Sequence, residues 1–145
     1  MSLLTTITAD FIQAMREKDA TKKAVLPVLK SSLQNEAIKL KRDLTEDEEL
    51  TLVNRERKQI NDSIDQYSEA GRTDLVEKEK AKLRIVESYL PKQLTNEEII
   101  GILDSLKLTK EDNKGKVIGQ ITKDYKGQVE GKVVSQVVSA YFAEL

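Results

Sequence analysis

The stretch KGQVEGK, residues 126–132, sets two glycines four apart with a lysine directly behind the second. A phosphate-binding loop of the form G-x-x-x-x-G-K-[ST] uses its glycines to bring backbone N–H groups around phosphates, its lysine to reach the terminal ones, and its hydroxyl to hold magnesium. Gly127, Gly131 and Lys132 fall one residue short of that spacing, and Val133 stands where the hydroxyl belongs. The residues ahead of them, ITKDYK, read as a helix nearing its end and not as a buried strand. Nucleotide binding is set aside, and Gly127 is expected to be the left-handed residue that closes one helix, with Glu130 or Gly131 opening the next. The chemistry left to this region is cationic. Lys114, Lys116, Lys123, Lys126 and Lys132 each lie beside a glycine or a helix start, or one turn along. Lysine and helix N–H groups can together meet an RNA phosphate there; the alternative is that these lysines only solvate the surface. Tyr125 and Tyr141 read either as stacking partners for a base or as core.

Acids offer less. Glu46-Asp47-Glu48-Glu49 invites a metal hypothesis, but consecutive carboxylates on a helix point to different faces and do not converge on one ion. Their position behind Thr45 is explained by helix capping, a hydroxyl followed by negative charge at the positive end of the dipole. The chain has no cysteine and no histidine, which removes thiolate nucleophiles, an imidazole base tuned near neutrality, and zinc sites with nitrogen or sulfur ligands. No catalytic residue, metal site or cofactor is assigned.

These side chains must be positioned by helices. Of 145 residues, 34% are charged and only 4% aromatic, with 6 glycines and 2 prolines, the composition of an all-α protein with wet outer faces. Leu4, Ile7, Phe11, Ile12 and Met15 predict an amphipathic helix over 4–18. A second runs from about 20 to 41 with Val25, Leu26, Leu29, Leu33 and Leu40 inward, kinked or restarted at Pro27, which has no N–H for the carbonyl of Lys23. From Thr45, Leu50, Val53, Arg57, Ile60, Ile64 and Tyr67 form a seam in steps of three and four. Gly71 ends that helix, and Thr73 is the expected cap of the next, whose Leu75, Val76, Leu83, Val86 and Leu90 point back at the seam in a long antiparallel hairpin. Folding about Gly71 brings Arg57 and Glu79 level, and a partly buried pair is expected there, directly or through Lys58.

Pro91 stops the hairpin, and Thr95 with Glu98 makes a capping box for a new helix. The chain therefore divides into 1–92, an N-terminal helical domain, and 93–145, a small three-helix domain. Its helices fall at about 96–106 (Ile99, Ile100, Leu103 inward), 115–126 (Val117, Ile118, Ile121, Tyr125) and 131–144 (Val134, Val137, Val138, Tyr141).

Charge is uneven beneath a net value of -1: residues 1–42 carry 8 basic and 4 acidic groups, residues 43–70 carry 3 and 9. The whole-chain field offers nucleic acid no attraction, so such a partner needs a local basic patch. The N-terminus has no basic region ahead of its apolar residues, and no run of apolar residues is long enough to span a membrane. Without cysteine there are no disulfides, which suits a cytoplasmic protein.

Two stretches, SIDQYSEAGRTDLVEKE running on to YLPKQLTNEE, and GKVIGQITKDYKGQVEGKVV, resemble the YqeY family of small bacterial proteins. Its fold is related to the tail domain of the GatB subunit of tRNA-dependent amidotransferases. The resemblance rests on Tyr67, Ala70, Gly71, Arg72, Asp74, Leu75 and Glu79, on Tyr89, Leu90, Pro91, Gln93 and Leu94, and on Gly115, Lys116, Val117, Gly119, Gly127, Gly131 and Lys132. It implies an all-helical protein with an N-terminal helical domain and a C-terminal three-helix domain. It also implies an association with tRNA or a tRNA-dependent enzyme, and the family-level label of carbon–nitrogen ligase activity with glutamine as amido donor. The label transfers poorly on chemical grounds, since the chain lacks both a core to activate a carboxylate with ATP and an amidase to release ammonia. Pro27, Gln34 and Gln128 stand where the family pattern has cations, which lowers the charge offered to phosphate. The expected function is a non-catalytic tRNA-binding or tRNA-enzyme-associated module, with a protein-interaction adaptor using the hairpin's outer faces as the alternative. No small-molecule site is evident.

Overall fold

The computed structural model describes residues 2–145. Its secondary structure is helical, in the order α1 (Leu3–Glu17), α2 (Ala20–Leu40), α3 (Glu46–Glu69), α4 (Thr73–Glu87), α5 (Asn96–Ser105), α6 (Lys114–Asp124) and α7 (Gly131–Ala143), with no strand among the described residues. The helices group into two compact units, Met1–Leu90 and Pro91–Leu145.

In the first unit, α1 packs on α2 and α3 on α4, and α2 also touches both α3 and α4. Ile7, Ala14, Leu26, Leu29, Leu33, Val53, Ile60 and Val86 form the centre of its core. Helix starts follow local chemistry. Ser2 Oγ accepts the Thr5 N–H, Asp19 accepts that of Lys22, and Thr45 and Glu48 exchange hydrogen bonds in a complete capping box. Lys18 and Lys41 end α1 and α2 in the left-handed conformation, φ 56° at each, with their N–H groups returned to carbonyls of the last turn.

α2 is one element through Pro27, with no restart. A proline inside a helix costs about 3 kcal/mol. Burying a leucine stabilises by roughly 1.5–3 kcal/mol, and Leu26 and Leu29 on either side of Pro27 are both fully buried. Continuity of the helix is what places the two of them inward together, so packing outweighs the proline. Two residues of α1 depart from expectation: Ile12 and Met15 are 47% and 52% exposed. Ile7 and Ala14 are the residues buried, with Leu4 and Phe11 packed beside them. That stripe occupies one side of the helix, and Ile12 and Met15 lie about 100° round from Phe11 and Ala14. Thr73 does not cap α4. It is the first helical residue, and Arg72 takes the cap position, its carbonyl receiving the N–H groups of Leu75 and Val76. Gly71, at φ 71°, makes the reversal that puts Arg72 there.

In the second unit α7 packs against both α5 and α6. The core holds Ile99, Leu103, Val117, Ile121, Val134, Val137, Val138 and Phe142. Thr95 and Glu98 form the expected capping box on α5. Ile100, expected inward, is 40% exposed, because Ile99 and Leu103 already occupy the side of α5 that meets α7.

Candidate nucleic-acid interface

The lysines singled out in the sequence all lie in the second unit and are all exposed. Lys114 and Lys116 occupy the first turn of α6, Lys123 its last turn, Lys126 the turn that follows, and Lys132 the first turn of α7. Asn113 caps α6, its Oδ1 accepting the Lys116 N–H at 3.1 Å. α7 has no side-chain cap bond at its start, which leaves first-turn N–H groups beside Gly131 and Lys132 to meet solvent or a ligand. Lys116, Gly119 and Lys123 recur at spacings of three and four residues and share one face of α6. A Cβ built on Gly119 meets nothing within 4 Å, so backbone is bare between the two cations. Lys116 and Lys123 are separated by roughly 10 Å along the helix axis. That spacing lets them contact neighbouring phosphates of one strand.

The turn carrying Lys126 is anchored from below. Gly127 is buried with φ 84°. Its carbonyl accepts a 2.6 Å hydrogen bond from Gln93 Nε2, and the carbonyl of Gln128 accepts one of 2.8 Å from the Leu94 N–H. Gln128 is half-buried and α7 opens at Gly131 with Glu130 as its cap residue.

Both tyrosines stand at the edge of the core. Tyr125 and Tyr141 are half-buried and pack against it. The Tyr141 hydroxyl donates to Asp104 Oδ1 at 2.6 Å; this bond, and then burial, hold the phenol above its ordinary pKa. The partner of Tyr141 lies 37 residues away and leaves no pattern in the sequence. The Asn113 cap did leave one, an asparagine directly before the first residue of a helix, and it could have been read.

The other motif residues lie in the first unit or, for Pro91, at the start of the second. Arg57 and Glu49 are buried, and Glu49 accepts the Leu4 N–H at 3.2 Å. Glu79 accepts a 3.1 Å hydrogen bond from Lys82 on its own helix. Burial raises the Glu56 carboxyl, and the negative charge of Glu79 raises it further. Tyr67 is half-buried, Arg72 forms a fork with the Asp74 carboxylate at 3.1 and 3.2 Å, and Pro91 is half-buried ahead of Gln93. In the first unit Tyr89 donates to Asp10 at 2.5 Å, and burial with this bond raises its pKa.

Among the described residues there is no group of three or more acids placed to hold a metal ion, and no helix long and apolar enough to cross a membrane. The protein Altered inheritance of mitochondria protein 41, mitochondrial, of Pyrenophora tritici-repentis is 29% identical over 143 residues, covering 94% of this chain and 78% of its own. The family model described as Yqey-like protein matches residues 4–142, from the first turn of α1 to the last turn of α7. With both helical units inside that match, the chain belongs to the YqeY family.

Proposed function

We propose that this chain is a non-catalytic module that docks on tRNA through the second unit, with Lys116, Lys123 and Lys132 as the principal phosphate contacts and Lys114 and Lys126 at the margin. Family membership supports a tRNA-associated role similar to that of the GatB tail domain. The observation that carries the choice of surface is the α6 face on which Lys116 and Lys123 flank the bare backbone at Gly119. Contacts of this kind read backbone and shape, since lysine on phosphate positions a protein without specifying sequence. In this reading residues 1–92 form an N-terminal helical domain whose α3 and α4 are a long antiparallel hairpin, and residues 93–145 form a GatB-tail-like three-helix domain that carries the RNA surface. The setting proposed is the cytoplasm, in keeping with a chain free of cysteine.

Titration of the full chain with bulk tRNA at two salt concentrations tests the proposal. Binding should weaken with salt, log K falling with log salt by about 0.7–0.9 for each phosphate contacted. Absence of binding at low salt, or binding indifferent to salt, would overturn it.

A further inference from the structure

α1 takes its main packing from α2, and a cleft of about 400 Å³ stays open between α1 and the C-terminal end of α4, with the first turn of α2 beside it. Its size suits a small molecule. Ala14, which is buried, and Ile85, which is half-buried, give it an apolar floor. Its charges are of both signs: Asp10 and Glu17 come from α1, Lys22 from α2 and Arg84 from α4. None of these four joins an ion pair among the described residues. Neutral donors hold the carboxylates instead. The Tyr89 hydroxyl donates to Asp10 Oδ2 at 2.5 Å, and Gln13 Nε2 donates to Glu17 Oε1 at 2.9 Å. Each carboxylate is thus oriented but not neutralised, and keeps its second oxygen for another donor.

Charge selects the ligand. An anion placed on Lys22 and Arg84 meets two carboxylates in the same cleft, and a simple cation placed on Asp10 and Glu17 meets the arginine and the lysine; like charges brought together are costly. A dipolar ion satisfies both sets. The planar fork of arginine matches a carboxylate, an ammonium has three N–H groups to give to carboxylate oxygens, and charges inside a cleft act more strongly than the same charges on open surface. Ala14 and Ile85 reward a hydrocarbon side chain laid over them. We propose that the α1/α4 cleft binds a free α-amino acid with an apolar side chain, its carboxylate on Arg84 and Lys22, its ammonium on the α1 carboxylates, and its side chain over Ala14 and Ile85. No spacing in the sequence marks this site, because it is assembled from three helices and its Asp10–Tyr89 bond joins residues 79 apart. All its residues belong to the first unit and none is a lysine assigned to RNA, so amino-acid binding and tRNA binding are separately measurable.

The test is calorimetric titration of the full chain with L-leucine, L-methionine and L-phenylalanine, and with the N-acetyl and amide forms of whichever binds. At least one of the three should bind, and removing either charge from it should weaken binding roughly tenfold or more. Arg84→Gln and Glu17→Gln should each weaken it to a similar degree; both positions are exposed, and circular dichroism should show both variants folded. Lys116→Glu should leave it unchanged. The proposal is overturned if none of the three binds at concentrations up to about 10 mM, or if both cleft variants bind as the parent does. Equal binding of the N-acetyl form, which would make this an anion site, or of the amide, which would make it a cation site, overturns it as well.

Discussion

Gln93 gives its side-chain amide to the carbonyl of Gly127 at 2.6 Å, so the residue two places after Pro91 holds the turn that separates α6 from α7. The bond reaches across 34 residues and fastens a glycine at φ 84°. An L side chain in left-handed geometry costs roughly 1–2 kcal/mol. Gly127→Ala should therefore lower stability by about that amount, and Gln93→Ala by about 0.5–1.5 kcal/mol through the lost hydrogen bond. Urea denaturation of the full chain checks both; a Gly127→Ala variant as stable as the parent would show that the turn does not require the glycine.

Charge reversal on α6 and α7 should separate contact from background. Lys116→Glu and Lys132→Glu are each expected to weaken tRNA binding and reduce the salt slope by roughly one. Lys58→Glu, on exposed α3 surface, should leave the slope unchanged. Equal effects at all three positions would mean that only net charge matters.

An acid-side loss of stability is expected at the start of α3. Arg42 forks onto both carboxylate oxygens of Glu48 at 2.7 and 3.0 Å, and the Thr45 N–H reaches the same carboxylate at 2.9 Å. The arginine bond first, and then the backbone bond, lower the Glu48 carboxyl from its ordinary 4.5 to about 2. Because the folded value lies below the unfolded one, the contribution is present above pH 4.5 and lost as pH falls toward 2. Glu48→Gln should be less stable than the parent at neutral pH, with the gap in thermal midpoint closing across that window. A gap that stays constant from neutral pH into acid would refute the assignment.

Glu56 is expected to behave in the opposite sense. Burial and the neighbouring Glu79 charge raise its carboxyl, while Lys82 and Arg55 oppose the shift. A raised folded value favours the protonated fold, so stability associated with this group is present below the ordinary carboxylate range and lost as pH rises through it. Glu56→Gln should therefore stabilise the protein at pH 7 by a few tenths of a kcal/mol to about 1, a range limited by solvent access to the group. Below pH 4 or so, where an ordinary carboxylate is itself protonated, the variant and the parent should melt together. Thermal melts at the two pH values decide it.

Much of the helical order is local chemistry and was legible in the residues. Thr45 and Thr95 open helices because each is followed three places on by a glutamate that returns the cap bond. Pro91 marks the passage from α4 to α5 because proline disfavours helix at the residue before it. The apolar stripes of α3, α5 and α7 identify most of the core residues by spacing alone, and the lysines of α6 are visible as cations beside glycines. Tertiary structure decided what spacing leaves open. Ile12, Met15 and Ile100 fit a helical pattern as well as their buried neighbours do, and only the direction from which a second helix arrives determines which of them is covered. Pro27 stays inside α2 because leucines on both sides gain more from burial than the proline costs, a comparison that needs the packed partner. The pairings of Gln93 with Gly127 and of Tyr141 with Asp104 join residues distant in the chain, where no periodicity relates one to the other.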